Sequence, residues 1–240
     1  MKAPDGKERR LYSLNLHVHS VLSPCADLLM TPGNIIQKAL EVGIDIIAIT
    51  DHNSAENIEP ALELARNTSL TIIPGMEVET REEVHLLCLF STLEEVLSLQ
   101  EIIYELLPAE KNREEYFGPQ IKVDGRDQYH KKIERMLLTA ADITVEELVK
   151  TVVELNGVVI PSHIERVNGI VAQLGMIPPW LELPILEVNS RQGLKTGRAK
   201  YKDHKLIYNP DSHRLQDMQP GFELQLKAPV LKEIVTELTR

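Results

Sequence analysis

The chain has 240 residues, 43% of them apolar and 26% charged, enough to bury the core of one large domain or two small ones, which excludes disordered, collagen-like and low-complexity classes. Its net charge of −10 leaves no basic surplus to neutralise a phosphate backbone, so nucleic acid is disfavoured as a partner. Two cysteines, no leader pattern near Met1 and no apolar run near the ~20 residues of a bilayer span predict a soluble, cytoplasmic protein away from membranes.

In chain order, Leu14 to His19 reads as a first strand, and Thr31-Pro32-Gly33 opens a helix that ends near Gly43. Asp45 to Thr50 is a buried strand, Glu56 to Arg66 a helix and Leu70 to Thr80 a strand. The stretch 108–141 breaks this rhythm with charge, Gly118-Pro119 and Asp124-Gly125 turn signals and one weak helical run near Lys131 to Leu138, and reads as an insertion or lid. Thr144 and Glu147 form a capping box for a helix over Val145 to Leu155. Strands follow at Val158 to Ile160, Ile185 to Asn189, Leu206 to Tyr208 and Phe222 to Leu226, before a closing helix over Val230 to Leu238. Strands alternating with helices predict an α/β fold on a largely parallel sheet of seven or eight strands, which can close into a barrel.

Six of the eight histidines stand beside or at the end of a predicted strand. His17 and His19, spaced i, i+2, leave one face of a strand and can converge on one ion, and Asp211 and His213 repeat that spacing. Asp51-His52-Asn53 and His163 follow buried strands, where α/β enzymes place functional groups. The run from Glu77 to His85 is polar at its centre and alternates on both sides, so it predicts a hairpin about Arg81 with Glu77 opposite His85. A strand running back on its neighbour would distort a barrel.

The ordered set His17-Val18-His19-Ser20, Thr50-Asp51-His52, Gly75-Met76-Glu77, Val84-His85, Ser162-His163 and Asp211-Ser212-His213 resembles the PHP (polymerase and histidinol phosphatase) family of metal-dependent phosphoesterases. The resemblance runs from about residue 12 to about residue 218 and rests on order and spacing. It implies a distorted (β/α)7 TIM-like barrel filling residues 1–240 as one domain, with two or three divalent zinc, manganese or iron ions at the C-terminal mouth of its strands. Carried over residue by residue, it makes His17, His19, His52, Glu77, His85, His163, Asp211 and His213 metal ligands, with Glu77 bridging two ions. Cys25 stands where many relatives carry a histidine or an acid, and is expected to be a ligand of the third ion. Asp51 is expected at the catalytic site, orienting His52 together with Asn53. Arg191, in a glycine-containing loop with Lys195 and Arg198, is the candidate substrate-binding residue.

The resulting expectation is an enzyme that hydrolyses small phosphate esters by metal-bound hydroxide at a di- or trinuclear centre. The alternatives are a metal-dependent amidohydrolase, against which the absence of a lysine at the strand ends counts, and a non-catalytic metal-binding module, against which the full ligand set counts.

Overall fold

The computed structural model describes residues 8–240. Strand β1 (Arg10–Val18) leads to α1 (Pro32–Glu41), β2 (Ile46–Ile49), α2 (Ile58–Ala65), and then the long β3 (Thr71–Glu79) and β4 (His85–Leu89). After α3 (Leu93–Leu106) comes a small unit of α4 (Glu114–Phe117), β5 (Ile121–Val123) and β6 (Tyr129–Lys132). The chain continues as α5 (Val145–Glu154), β7 (Val158–Pro161), α6 (Ile170–Leu174), β8 (Ile185–Val188), α7 (Arg191–Lys200), β9 (Lys205–Tyr208), β10 (Phe222–Leu226) and α8 (Leu231–Leu238).

One sheet runs in the order β10-β1-β2-β3-β4-β7, and β8 pairs with β9. Strands β1, β2 and β3 are parallel, whereas β4 runs antiparallel to both β3 and β7. This is the expected distorted barrel. Its two seams are stitched without regular ladders. Between β7 and β8 the Ile164 N–H donates to the Glu187 carbonyl at 3.0 Å. Between β9 and β1, Ser212 exchanges backbone hydrogen bonds with His17 and His19, and the Asn209 side chain accepts the Leu16 N–H at 2.9 Å, standing in for a ladder carbonyl.

The barrel interior is layered. Leu14, Leu16, Ile46, Ala48, Ile73, Leu87, Leu89, Ile160, Ile185 and Ile207 fill its lower part, and Leu231, Ile234 and Leu238 of α8 pack in the same cluster. The opposite strand faces, among them Ile47, Ile49, Met76, Val78, Leu86, Cys88 and Val159, pack with the buried sides of the helices. With a period of two, residues two beyond the apolar layer turn polar groups into the mouth: Glu77 above Gly75, His85 next to Leu87, Glu187 above Ile185. Strand β1 needs one correction to that period. Leu14 and Leu16 face inward, and a register shift against β2 between Asn15 and Val18 breaks the alternation, so that His17 and His19 both reach the mouth while Val18 joins the outer core.

Three local expectations change. The hairpin is present, but its register pairs Glu79 with His85 and Glu77 with Leu87, because the turn centres near Glu82 rather than Arg81. Residues 131–138 are not helical. The Asp124-Gly125 turn folds 121–132 as a β-hairpin, with Asp124 Oδ1 accepting the Arg126 and Gln128 N–H groups. The segment after Asn189 is a helix rather than a loop, since Ser190 caps it by accepting the Gly193 N–H at 2.8 Å. Leu93–Leu106 is a further helix, opened by a capping box of Thr92 and Glu95.

The 108–141 segment lies across the loops that follow β1 and β2. Ile121 N–H donates to the Val21 carbonyl, Asn57 pairs with the Ile121 carbonyl and the Val123 N–H, and Asp127 accepts the Gly33 N–H and the Thr31 hydroxyl. Asn53 donates from its amide to the carbonyls of Leu137 and Thr139, both at 2.8 Å.

Candidate metal centre and its relatives

At the mouth, Glu77 stands at the centre of the imidazoles. Its Oε1 lies 3.2 Å from His85 Nδ1, 3.2 Å from His163 Nε2 and 3.4 Å from His17 Nε2. Its Oε2 lies 3.3 Å from His19 Nε2 and 3.2 Å from His52 Nδ1. Asp211 Oδ1 is 3.3 Å from His17 Nε2, 3.4 Å from His19 Nε2 and 3.3 Å from His213 Nδ1. His17 Nε2 and His19 Nε2 are 3.0 Å apart, and the His19 and His213 rings stack at 4.2 Å between centroids. All eight are brought together, and seven are buried.

These spacings fit metal ions. Two nitrogens each ~2.1 Å from a common ion stand about 3.0 Å apart at a right angle and about 3.4 Å apart at the tetrahedral angle. Three groups of side chains have ligand atoms close enough for one ion each: His17, His19 and Glu77; His52, Glu77 and His85; and His19, His52 and His213. Asp211 Oδ1 and His163 Nδ1 are buried without a hydrogen-bonded partner, and an orphaned carboxylate oxygen at this depth is costly unless a cation meets it.

Neighbouring groups fix which imidazole nitrogen faces the cluster. His17 Nδ1–H donates to Glu187 Oε1 at 2.9 Å, leaving Nε2 bare. His19 Nδ1–H donates to Ser23 Oγ at 3.0 Å, and Ser23 Oγ–H donates in turn to Asp51 Oδ1 at 2.6 Å. Asp51 also accepts the Ser20 N–H at 2.7 Å and the Ser20 hydroxyl at 2.6 Å. It therefore positions His19 through Ser23 and does not hydrogen-bond His52. Asn53 does not orient His52 either, since its amide is spent on Leu137, Thr139 and the Glu79 N–H. The strand ends carry strain: His163 and Asp211 hold left-handed φ angles of 27° and 55°, conformations that side chains other than glycine adopt at a cost.

Burial opposes charge on His17, but Glu187, Asp211 and Glu77 outweigh it and hold its pKa well above the ordinary value. For His19, burial is outweighed by the neighbouring Asp211 and Glu77 carboxylates, and the value rises to about 9. Against their own burial, the histidines hold Glu77 and Asp211 well below the usual carboxylate range. Burial and the His19 charge push His213 down to about 4. Protons thus occupy the place a cation would take.

Cys25 and Arg191 belong to none of the three groups. Cys25 is an exposed residue on the β1–α1 loop. Protein packed around its sulfur, then the Glu77 and Asp211 charges, push its thiol up to about 12. Arg191 packs its guanidinium over the Tyr208 ring at 5.0 Å. The arginine at the cluster is Arg166, whose Nη1 donates to Asp211 Oδ2 at 2.7 Å with about half its side chain exposed. Glu187 and Arg166 were not singled out from the sequence. Glu187 shares the inward face of Ile185, and that alternation could have found it, whereas Arg166 sits in a turn without periodicity.

The PHP domain model matches residues 15–146, more than half of the chain. The chain belongs to the PHP domain family. A 5'-3' exoribonuclease, Rnm, of Escherichia coli is 37% identical to this PHP chain over 73 residues, 30% of the chain and 24% of that protein. The lesion-specific endonuclease PfuEndoQ of Pyrococcus furiosus shares the fold over 96% of this chain and 56% of its own, with a TM-score of 0.72 and 17% identity. Endonuclease Q in complex with a 27-mer duplex carrying an abasic lesion at the active site superposes over 94% and 55%, with a TM-score of 0.72 and 17% identity. The chain thus spans about a quarter of the curated relative and about half of these structures. These relatives overturn the expectation that nucleic acid is disfavoured as a partner. Net charge summed over a chain says little about a site where cations can gather locally. Among the described residues of this PHP chain, no helix is long and apolar enough to cross a membrane.

Proposed function

We propose that this PHP domain is a metal-dependent phosphoesterase that hydrolyses phosphodiester bonds of nucleic acid at the His17–His213 cluster. The observation that carries it is Glu77, buried with imidazoles at both oxygens and common to two of the three ligand groups. That is the arrangement of a carboxylate shared between ions. His17, His19, His52, Glu77, His85, His163, Asp211 and His213 would hold two or three divalent ions, and zinc, manganese and iron all suit such nitrogen and oxygen donors. When bound, the ions supply Lewis acidity toward phosphoryl oxygens and a nucleophile at neutral pH.

The chain's own residues orient and select. Glu187 and Ser23 fix the rings of His17 and His19, and Asp51 fixes Ser23. Arg166 stands at the open side and is assigned the contact with a phosphate oxygen in place of Arg191. The nuclease relatives support a polynucleotide substrate over a small phosphate ester.

The test is product release from 5'-labelled oligoribonucleotides and oligodeoxyribonucleotides alongside a phosphomonoester panel, with manganese, with zinc and with EDTA. Metal-dependent shortening of an oligonucleotide is the expected result. Phosphate release from monoesters alone would replace the nuclease reading with the small-ester one, and hydrolysis that survives EDTA in metal-free protein would overturn both.

A further inference from the structure

We propose that Tyr116 and Phe117, with Arg113, form a stacking subsite for an unpaired nucleobase at the rim of the metal cluster. The inference rests on the nucleic-acid reading above and deepens it. The two rings are the last residues of α4, and both are exposed, Tyr116 by 73% and Phe117 by 37%. Arg113 lies against both faces, its Cζ 5.2 Å from the Tyr116 centroid and 5.8 Å from that of Phe117. Aromatic rings backed by a guanidinium bind any base through its π-face, and the arginine adds attraction for the phosphate beside it.

The position of these rings gives them a role. Gly118, at φ 94°, packs so closely on the β1–α1 loop that a Cβ would collide with the Pro24 carbonyl. Asn112 locks the turn by donating to the Gly118 carbonyl at 2.8 Å. Pro24 follows Ser23, which is hydrogen-bonded to His19 of the cluster. Contacts from His19 to Ser23 and from Pro24 to Gly118 thus anchor the aromatic pair on the β1–α1 loop that also holds the partner of His19. Arg166, the assigned phosphate contact, comes from the loop after β7. A single strand with its phosphate at the cluster and its next base turned toward 116–117 satisfies both contacts. A small phosphate ester would leave the rings unused.

The experiment uses the full chain loaded with manganese. Hydrolysis and binding of a single-stranded oligonucleotide are compared with those of an abasic oligomer of equal length and charge, for the parent, the Tyr116→Ala/Phe117→Ala double variant and Phe117→Trp. Stacking of one base is worth roughly a 5- to 100-fold change in affinity on truncation. The double variant is expected to raise KM for the base-bearing strand by that factor with kcat and the abasic substrate unaffected, and Phe117→Trp to retain the parent KM and have its emission quenched by the base-bearing strand. Equal handling of both oligomers by the parent, or an unchanged KM in the double variant, overturns the subsite while leaving the phosphodiesterase reading intact. Failure of the parent to cleave or bind either oligomer overturns that reading and the subsite with it. A shift from dimer to monomer in the double variant with unaltered KM would assign the patch to self-association and overturn the proposal.

Discussion

His17 donates through Nδ1 to Glu187 Oε1 at 2.9 Å, so a carboxylate below the mouth decides which nitrogen of the first-strand histidine faces Glu77 and Asp211. Glu187 is fully buried and also accepts the His163 N–H at 3.0 Å and the Asn209 amide at 2.8 Å. One residue thus ties β1, β7 and β9 together beneath the cluster. Glu187→Gln is expected to fold and to lose metal affinity about 10- to 100-fold, measured by competition with a chelating dye. Glu187→Ala is expected to cost a further ~3–5 kcal/mol of stability, because it strands the partners of a buried charge. Parent-like metal affinity in Glu187→Gln would show that His17 needs no partner.

Ser23 carries the equivalent load for His19. Its hydroxyl sits between His19 Nδ1, Asp51 Oδ1 and the His52 N–H, at 3.0, 2.6 and 3.2 Å. Ser23→Ala should destabilise the fold by about 1–3 kcal/mol by leaving these groups unpaired. It should also weaken metal binding more than Ser98→Ala, whose hydroxyl only meets the Glu94 carbonyl on an exposed helix face. Chemical denaturation and metal titration of the two variants check this, and equal effects would refute the role of Ser23.

Metal analysis after careful remetallation should return two to three ions per chain, since eight clustered donors exceed the four of one tetrahedral site. His17→Ala and Asp211→Ala should each abolish metal-dependent hydrolysis while keeping the parent circular dichroism spectrum. One ion per chain would reject the multinuclear centre.

Metal and proton compete for His19. Its pKa in the metal-free protein is raised to about 9 from an unfolded value near ~6.5, so its charge stabilises the fold fully below that lower value and the contribution is lost as pH rises through about 9. The metal-free protein should therefore lose Tm between these pH values, while its affinity for manganese or zinc increases over the same window. A flat Tm together with pH-independent affinity would contradict it.

Cys25 joins none of the three ligand groups, although its sulfur is packed in protein within reach of the Glu77 and Asp211 charges. Cys25→Ser should keep the parent's metal stoichiometry. With the thiol pushed up to about 12, iodoacetamide should react slowly with metal-free protein at neutral pH, because the thiolate is the nucleophile. Loss of one ion in Cys25→Ser would make the thiol a ligand, as its place in the sequence suggested.

Much of the site was legible before folding because metal ligands come as chemical types at short spacings on strand ends. His17 and His19 at i, i+2, His52 after a buried strand, and Asp211 with His213 need only the pleat of a strand to be brought into reach. The alternating pattern of β3 and β4 likewise determined the hairpin and the distortion of the barrel. Register did not follow, since a one-residue displacement of the turn centre moves every pairing by two, and the polar run 79–83 gives no apolar contact to fix it. What the tertiary structure alone decided is how distant segments share one centre. The irregularity in β1 that turns both histidines inward depends on the pairing with β2, the reach of Glu187 to His17 spans 170 positions, and the pairing of Arg166 with Asp211 depends on which loop stands beside it. Such contacts arise from barrel closure, where strands far apart in sequence become neighbours, and no local periodicity encodes them.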